Sequence, residues 1–294
     1  MLDFKNIELS DITILEKVLK NSDDNSCENN FINLLVWQCK YNNMMAYSDG
    51  QLIIKSGYGK RAVFRLPLGD DFEKGMALIA DYCGEYNPRF WAQDGSTFEK
   101  FKKLYGHKYT IEEQRDSFDY LYLSQDLANL KGKKYHSKRN HISSFSKKYE
   151  WHYETITPQN IEKVALLAEN WYEENSHRMD DSLLCEKKAV NTILSNFSVL
   201  GVKGGAIFVD DEAVAFTLGS PINQEVFDIH IEKALKAYSE AYSVINCEFV
   251  KNVLAEYKYI NREDDMGIEG LRKAKLSYNP AAMVKKYFCA PEEK

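Results

Sequence analysis

The chain lacks cysteines at metal or redox spacing. Its six cysteines are Cys27, Cys39, Cys83, Cys185, Cys247 and Cys289; none form a C-x-x-C pair or join histidines at zinc-ligand spacing. They read as scattered buried thiols of a reducing compartment, and no metal is expected. No run approaches the ~20 apolar residues that a spanning helix needs. The opening MLDFKNIELSDITILEKVL carries acids and does not have the layout of a signal peptide. A cytoplasmic location is the expectation. Positive charge is also in short supply: 38 Lys and Arg against 44 Asp and Glu give a net −6. That excludes a general nucleic-acid coat protein and leaves room for a local basic patch. With six prolines, 44% hydrophobic and 28% charged residues, nothing reads as disorder. The 294 residues suit two ordinary domains or one large one, able to bury a core without disulfides.

What is present alternates helix and strand signals. SDITILEKVLK opens on a Ser10/Asp11 cap. NMMAYSDGQLIIKS is two apolar runs around Asp49-Gly50, a strong hairpin signal. AVFRLPL predicts a strand, DFEKGMALIADYCGEY a helix capped near Asp70/Asp71, RFWA a strand and 96–105 a helix. KYTIEEQRDSFDYLYLS predicts two strands with a turn near Arg115 and Asp116. LKGKKYHSKRNHISSFSKKYE then shifts to a dense basic run entering a helix, with Ser137 as a candidate cap, and is taken as the boundary between two halves.

After it the pattern recurs. A helix enters through Thr157-Pro158, a second covers LLCEKKAVNTILSNF, a hairpin turns at Asp210-Asp211, and EVFDIHIEKA is a strand. A helix over AYSVINCEFVKNVLAEY, a strand YINRE, a helix MGIEGLRKAKLSY and a last strand MVKKYFC complete the second half. Gly204-Gly205 reads as a structural turn. The order is mixed α+β, with mainly antiparallel sheets flanked by helices. It matches the layout of a GNAT-type acyltransferase domain present twice, over 1–130 and 131–294.

Three stretches carry a more specific likeness: LKGKKYHSKRNHI at 130–142, GGAIFVDDEAVAFTLG with HIEKA at 205–234, and YINREDDMGIEGLRKAKLSYNP at 259–280. With these the chain resembles the DUF2156 family, related to the catalytic C-terminal domain of phosphatidylglycerol lysyltransferases. The G-L-R-x-x-K-x-x-Y-x-P spacing, here Gly270, Leu271, Arg272, Lys275, Tyr278 and Pro280, is the part most like those enzymes. The resemblance implies a tandem GNAT fold, as in Fem-type transferases, and aminoacyl transfer from a charged tRNA to an acceptor. The acceptor could be a small amine, a peptide or a lipid headgroup.

Three clusters are candidates for the chemistry. On a helix starting near Asp265, Arg272 and Lys275 share a face with Ile268 and Leu271. Such cations either snorkel over apolar surface, pair with nearby acids, or fix an anion or carbonyl in a pocket. With Arg262, Asp265 and Tyr278 they form the substrate-binding set. In EVFDIHIEKA, alternation puts Asp228, His230 and Glu232 on one face. If that face is buried, His230 or Glu232 suits a general base; if it faces solvent, it is structural. Lys133, Lys134, Lys138 and Arg139 at a helix start suit a phosphate or other anion, or form a solvated linker.

One expected element is missing. The pyrophosphate loop of CoA-dependent GNAT enzymes would fall in EKALKAYSEAYSVIN, residues 232–246, which contains no glycine. This disfavours CoA as cofactor against an aminoacyl-tRNA donor. Three readings remain: an aminoacyl or acyl transferase, a CoA-dependent N-acetyltransferase, and a binding module that kept the fold without the chemistry.

Overall fold

The computed structural model describes residues 2–19, 24–59 and 62–292. In chain order its strands are β1 Lys5–Asn6, β2 Met44–Ser48, β3 Gln51–Ser56, β4 Val63–Arg65, β5 Leu68–Gly69, β6 Arg89–Gln93, β7 Tyr109–Glu113 and β8 Asp119–Leu123. They continue as β9 Trp151–Thr155, β10 Lys203–Val209, β11 Glu212–Pro221, β12 Val226–Ala234, β13 Tyr259–Asn261, β14 Ala282–Val284 and β15 Lys286–Pro291. Two compact units result. The first comprises Met1–Asp119, Asp264–Ile268 and Met283–Lys294; the second comprises Tyr120–Glu263 and Glu269–Ala282. The units are therefore not consecutive halves. A break at 130/131 would fall inside the second unit, which already begins at Tyr120; the basic run leads through a 3-10 turn, Lys133–Tyr135, into a helix, His136–Lys148, that buries Lys138 and Phe145. The final strand, expected in the second half, joins the first unit's sheet, where β15 pairs antiparallel with both β6 and β7.

The first sheet runs β1-β2-β3-β4-β6-β15-β7, with β5 beside β3. Its hairpin turns at Asp49 and Gly50, whose φ values of 53° and 78° are those of a primed turn that matches strand twist. The core is aromatic: Phe64, Phe90, Phe98 and Phe101 are buried with Ile53 and Ile79. Phe90 meets Phe101 edge-on at 5.3 Å. Each such side chain contributes about 1.5–3 kcal/mol on burial. The helix Phe72–Cys83 starts at Asp71, whose side chain accepts from the Lys74 N–H, as the sequence suggests.

The second sheet runs β14-β8-β13-β12-β11-β10-β9. Asp210 and Asp211, with φ of 49° and 63°, turn the β10–β11 hairpin. Gly204-Gly205 is not a turn but lies inside β10. A Cβ on Gly205 would come within 2.6 Å of the Tyr153 ring, so the pair serves close packing. The helix Ala241–Val253 covers this sheet, with Val244 and Ile245 buried beside Phe145, Ile207 and Val214. His136–Lys148 receives no cap from Ser137, and the helix after Pro158 begins only at Ile161, behind a turn in which Asn160 Oδ1 accepts from the Thr157 N–H.

Two details of the second sheet position the site. β12 pairs parallel with β13 only over 226–228 against 259–261; past Asp228 the two strands separate. Opposite β11 the register slips, with Leu218 facing Ile231 and Gly219 facing Ile229, so His230 is the extra residue of a bulge. Gly219 is required there, because a Cβ would lie 2.2 Å from the Asp228 carbonyl oxygen.

Candidate functional site

The C-terminal ends of parallel strands, where they diverge, are the usual place for a ligand in such sheets. In the second unit this gap holds Glu232 from β12 and Arg262 from the end of β13. β12 is central and buried on both faces, so the acid–His–acid face foreseen from alternation does not meet solvent. Arg262 Nη2 donates to Glu232 Oε1 at 2.7 Å, and Asn246 Nδ2 donates to the other carboxylate oxygen at 3.1 Å. The guanidinium lies 4.7 Å from the Tyr278 ring and 5.7 Å from the Tyr122 ring. Lys138 enters from the helix His136–Lys148 and places Nζ 3.9 Å from the Tyr278 ring centroid. The Tyr278 hydroxyl donates to Ser243 Oγ at 3.4 Å, and His141 Nδ1 approaches the same oxygen at 3.3 Å.

The electrostatics follow from burial. Lys138 is 8% exposed, and burial, then the Arg262 charge, pulls its pKa down to about 8, with Glu232 acting the other way. Burial also opposes the Arg262 charge, yet Glu232 and the two tyrosines more than offset it, so its pKa rises. Burial pushes the Tyr278 hydroxyl up. Two polar atoms are left over: Arg262 Nη1 and Asn246 Oδ1 are buried with no hydrogen-bond partner. A donor and an acceptor without partners beside one carboxylate are what a polar ligand would satisfy.

The residues singled out from sequence are only partly gathered here. Glu232, Arg262, Tyr278 and Lys138 converge. His230 lies on the same strand but turns to a separate group, with Ser220 Oγ 2.8 Å from Nε2. Lys275 works behind the site, donating to the carbonyls of Arg262 and Glu263. Arg272 is half-buried on the helix Glu269–Leu276, which starts later than Asp265 and buries none of its residues; Ile268 is exposed. Asp265 belongs to the first unit, where it pairs with Arg115 at 3.2 Å and accepts from the Gly267 N–H at 2.9 Å. Lys133 is exposed, Lys134 pairs with Asp126 at 2.9 Å, and Arg139 donates to the Leu130 and Gly132 carbonyls. Of that basic run, only Lys138 turns inward. Asn246, Ser243 and Tyr122 were missed; they come from a helix face and a strand whose residues look apolar or neutral in sequence.

The first unit has polar groups near its own parallel pair, β4 and β6, and its charged side chains pair among themselves, while Asn29 Oδ1 and Gln93 Oε1 are buried without a hydrogen-bond partner. Lys286, 1% exposed, lies 2.7 Å from Asp119 and 3.4 Å from Glu28, while Trp91 Nε1 donates to Glu28 at 2.8 Å. Of the cysteines, Cys27, Cys247 and Cys289 are buried and Cys83 is half-buried; Cys27 Sγ donates to Asp119 Oδ1 at 3.2 Å.

Residues 20–290 match the family described as phosphatidylglycerol lysyltransferase, C-terminal. The chain belongs to this family. A conserved protein of unknown function from Bacteroides thetaiotaomicron VPI-5482 has the same fold at a TM-score of 0.91, with 35% identity over 99% of this chain and 100% of that one. L-PGS from Bacillus licheniformis superposes at a TM-score of 0.66, with 16% identity over 96% of this chain and 92% of that one. An uncharacterized protein of Mycoplasmoides gallisepticum is 26% identical over 186 residues, 61% of this chain and 58% of that protein. The match thus spans little more than half of that relative. The expected DUF2156 membership and tandem GNAT fold hold, and family and fold together support a transferase of the acyl-moving kind. Among the described residues no helix is long and apolar enough to cross a membrane.

Proposed function

We propose that this DUF2156 protein moves an aminoacyl group from an aminoacyl-tRNA to an amine or hydroxyl acceptor. The observation that carries the reading is the buried group at the parted strands: a lysine with a pKa near 8 beside a paired arginine that has one N–H to spare. The acceptor's nitrogen or oxygen attacks the ester carbonyl carbon, and neutral Lys138 takes its proton. Charge developing on the carbonyl oxygen is met by Arg262, held in place by Glu232 and the two tyrosine rings. The bond from the carbonyl carbon to the ribose oxygen then breaks, and the Lys138 ammonium returns a proton to that oxygen. Asn246 Oδ1 is available to a donor N–H, such as the α-ammonium of the aminoacyl group. This reading moves the proton-handling role from His230 or Glu232 to Lys138 and gives Glu232 the work of aiming Arg262. The absence of glycine over residues 232–246 favours this donor over CoA.

The test is a transfer assay. The protein is incubated with a radiolabelled aminoacyl-tRNA pool and, in separate arms, with small amines, peptides and phosphatidylglycerol vesicles. Transfer in any arm, lowered about 10²–10³-fold in Arg262→Ala, supports the reading. Acetyl-CoA runs alongside as donor. Turnover of acetyl-CoA with none of aminoacyl-tRNA overturns the reading.

A further inference from the structure

We infer that Asp228, His230 and Glu263 form a binding site for a divalent transition cation, with Zn2+ as the best fit. The proposal stands apart from the transferase reading and depends on different side chains. His230 Nδ1 lies 3.4 Å from Asp228 Oδ2 and 3.5 Å from Glu263 Oε1, and the three ligand atoms are all within 4.8 Å of one another. Those contacts are long for N–H···O hydrogen bonds, which favour about 2.7–3.2 Å. They match the separation of two atoms that each bind one zinc ion at ~2.0–2.1 Å with tetrahedral angles, which is about 3.3–3.4 Å.

The independent observation is the histidine itself. Its side chain is 2% exposed, and Nδ1 has no hydrogen-bond partner although it faces two carboxylates. On its other side Nε2 is 2.8 Å from Ser220 Oγ. With the proton on Nε2 and donated to Ser220, Nδ1 turns a bare lone pair toward the carboxylates. A cation between them converts that repulsion into coordination, and a hydrogen-bond acceptor behind the far nitrogen, here the Ser220 hydroxyl, fixes the tautomer and orientation of a ligating imidazole. Two carboxylates neutralise a divalent charge, and the imidazole selects transition metals over Mg2+ or Ca2+.

The chain presents these ligands without rearrangement. The bulge in β12 re-aims His230 beside Asp228. Glu263 is held just past β13: its N–H donates to Asn261 Oδ1 at 2.7 Å, and its carbonyl accepts from the Tyr120 N–H at 3.2 Å and from Lys275 Nζ at 3.2 Å. The Glu263 side chain is 22% exposed, which leaves a route from solvent and one side open. Sequence spacing could not disclose such a site, because its ligands come from two strands.

The test is metal content. The purified full chain is stripped with EDTA, incubated with ZnCl2 or MnCl2, desalted and assayed by inductively coupled plasma mass spectrometry and thermal unfolding. One equivalent of Zn2+ per chain and a raised melting temperature are expected. Glu263→Gln, at the most exposed ligand position, should fold by circular dichroism yet lose the bound metal. Ser220→Ala should bind about tenfold more weakly. Full zinc stoichiometry in folded Glu263→Gln would assign the metal to other groups and overturn the site. So would no retained metal in the parent.

Discussion

Lys138 Nζ sits 3.9 Å from the centre of the Tyr278 ring, and the same ring faces the Arg262 guanidinium at 4.7 Å. One aromatic ring thus serves two cations, with a carboxylate, Glu232, paired to the arginine. Cation–π attraction contributes about 0.5–2 kcal/mol here, and the remaining strain is relieved by Lys138 releasing its proton easily. A surface lysine at the same place in sequence would not be tuned in this way.

Lys138 therefore gives a signed pH dependence. As a proton acceptor it works in its neutral form, so the transfer rate should climb about tenfold per pH unit and level off above pH 8. Stability should follow a different course. Because the folded pKa is depressed from 10.5 to about 8, the unfolded chain binds more protons between those values, and stability rises with pH across that window. At pH 7 the folded state carries the buried charge at a cost. Lys138→Met should raise stability at pH 7 by on the order of 1–2 kcal/mol while removing transfer. Chemical unfolding at pH 7 and 10 checks both signs; a stabilisation equal at both pH values would contradict them.

The Glu232–Arg262 pair should behave as a coupled unit. Both side chains are nearly buried, 11% and 13% exposed. Removing either charge, by Glu232→Gln or Arg262→Met, strands the other and should cost roughly 3 kcal/mol. The double variant should lose much less than the sum. Urea unfolding of the four proteins gives the cycle, and strictly additive losses would show that the pair does not interact.

Gly219→Ala should be among the most disruptive small changes in the second sheet. The added methyl would meet the Asp228 carbonyl at 2.2 Å and the Phe227 ring at 2.4 Å, and the carbonyl cannot move without disturbing the β11–β12 ladder. A loss of about 2–3 kcal/mol is expected by thermal or urea unfolding.

Asp265→Ala separates structural from substrate-binding use of the charged stretch at 262–275. Asp265 is fully buried, pairs with Arg115 and holds the Gly267 N–H. The variant should lose about 1–3 kcal/mol of stability with the Michaelis constant for either substrate unchanged. A selective rise in that constant at unaltered stability would return Asp265 to the binding set.

Local pattern carried much of this protein into view. The hairpins at Asp49-Gly50 and Asp210-Asp211 and the helix Ser96–Tyr105 depend on neighbours in the chain, so the sequence alone determines them, whereas the bulge at His230 breaks the alternation expected of β12. The family spacing around Tyr278 is local in the same sense. Tertiary structure decided which charges matter. Lys133, Lys134, Lys138 and Arg139 are alike in sequence, yet only Lys138 lies on the helix face that carries Phe145 inward. Arg262 and Arg272 are equally basic, but the parting of β12 from β13 receives only Arg262. The last strand joins the first sheet because β15 fits between β6 and β7, a pairing across most of the chain that no short window encodes. Periodicity fixes which way a residue faces along its own element; burial, pairing and pKa depend on what a distant segment brings to that face.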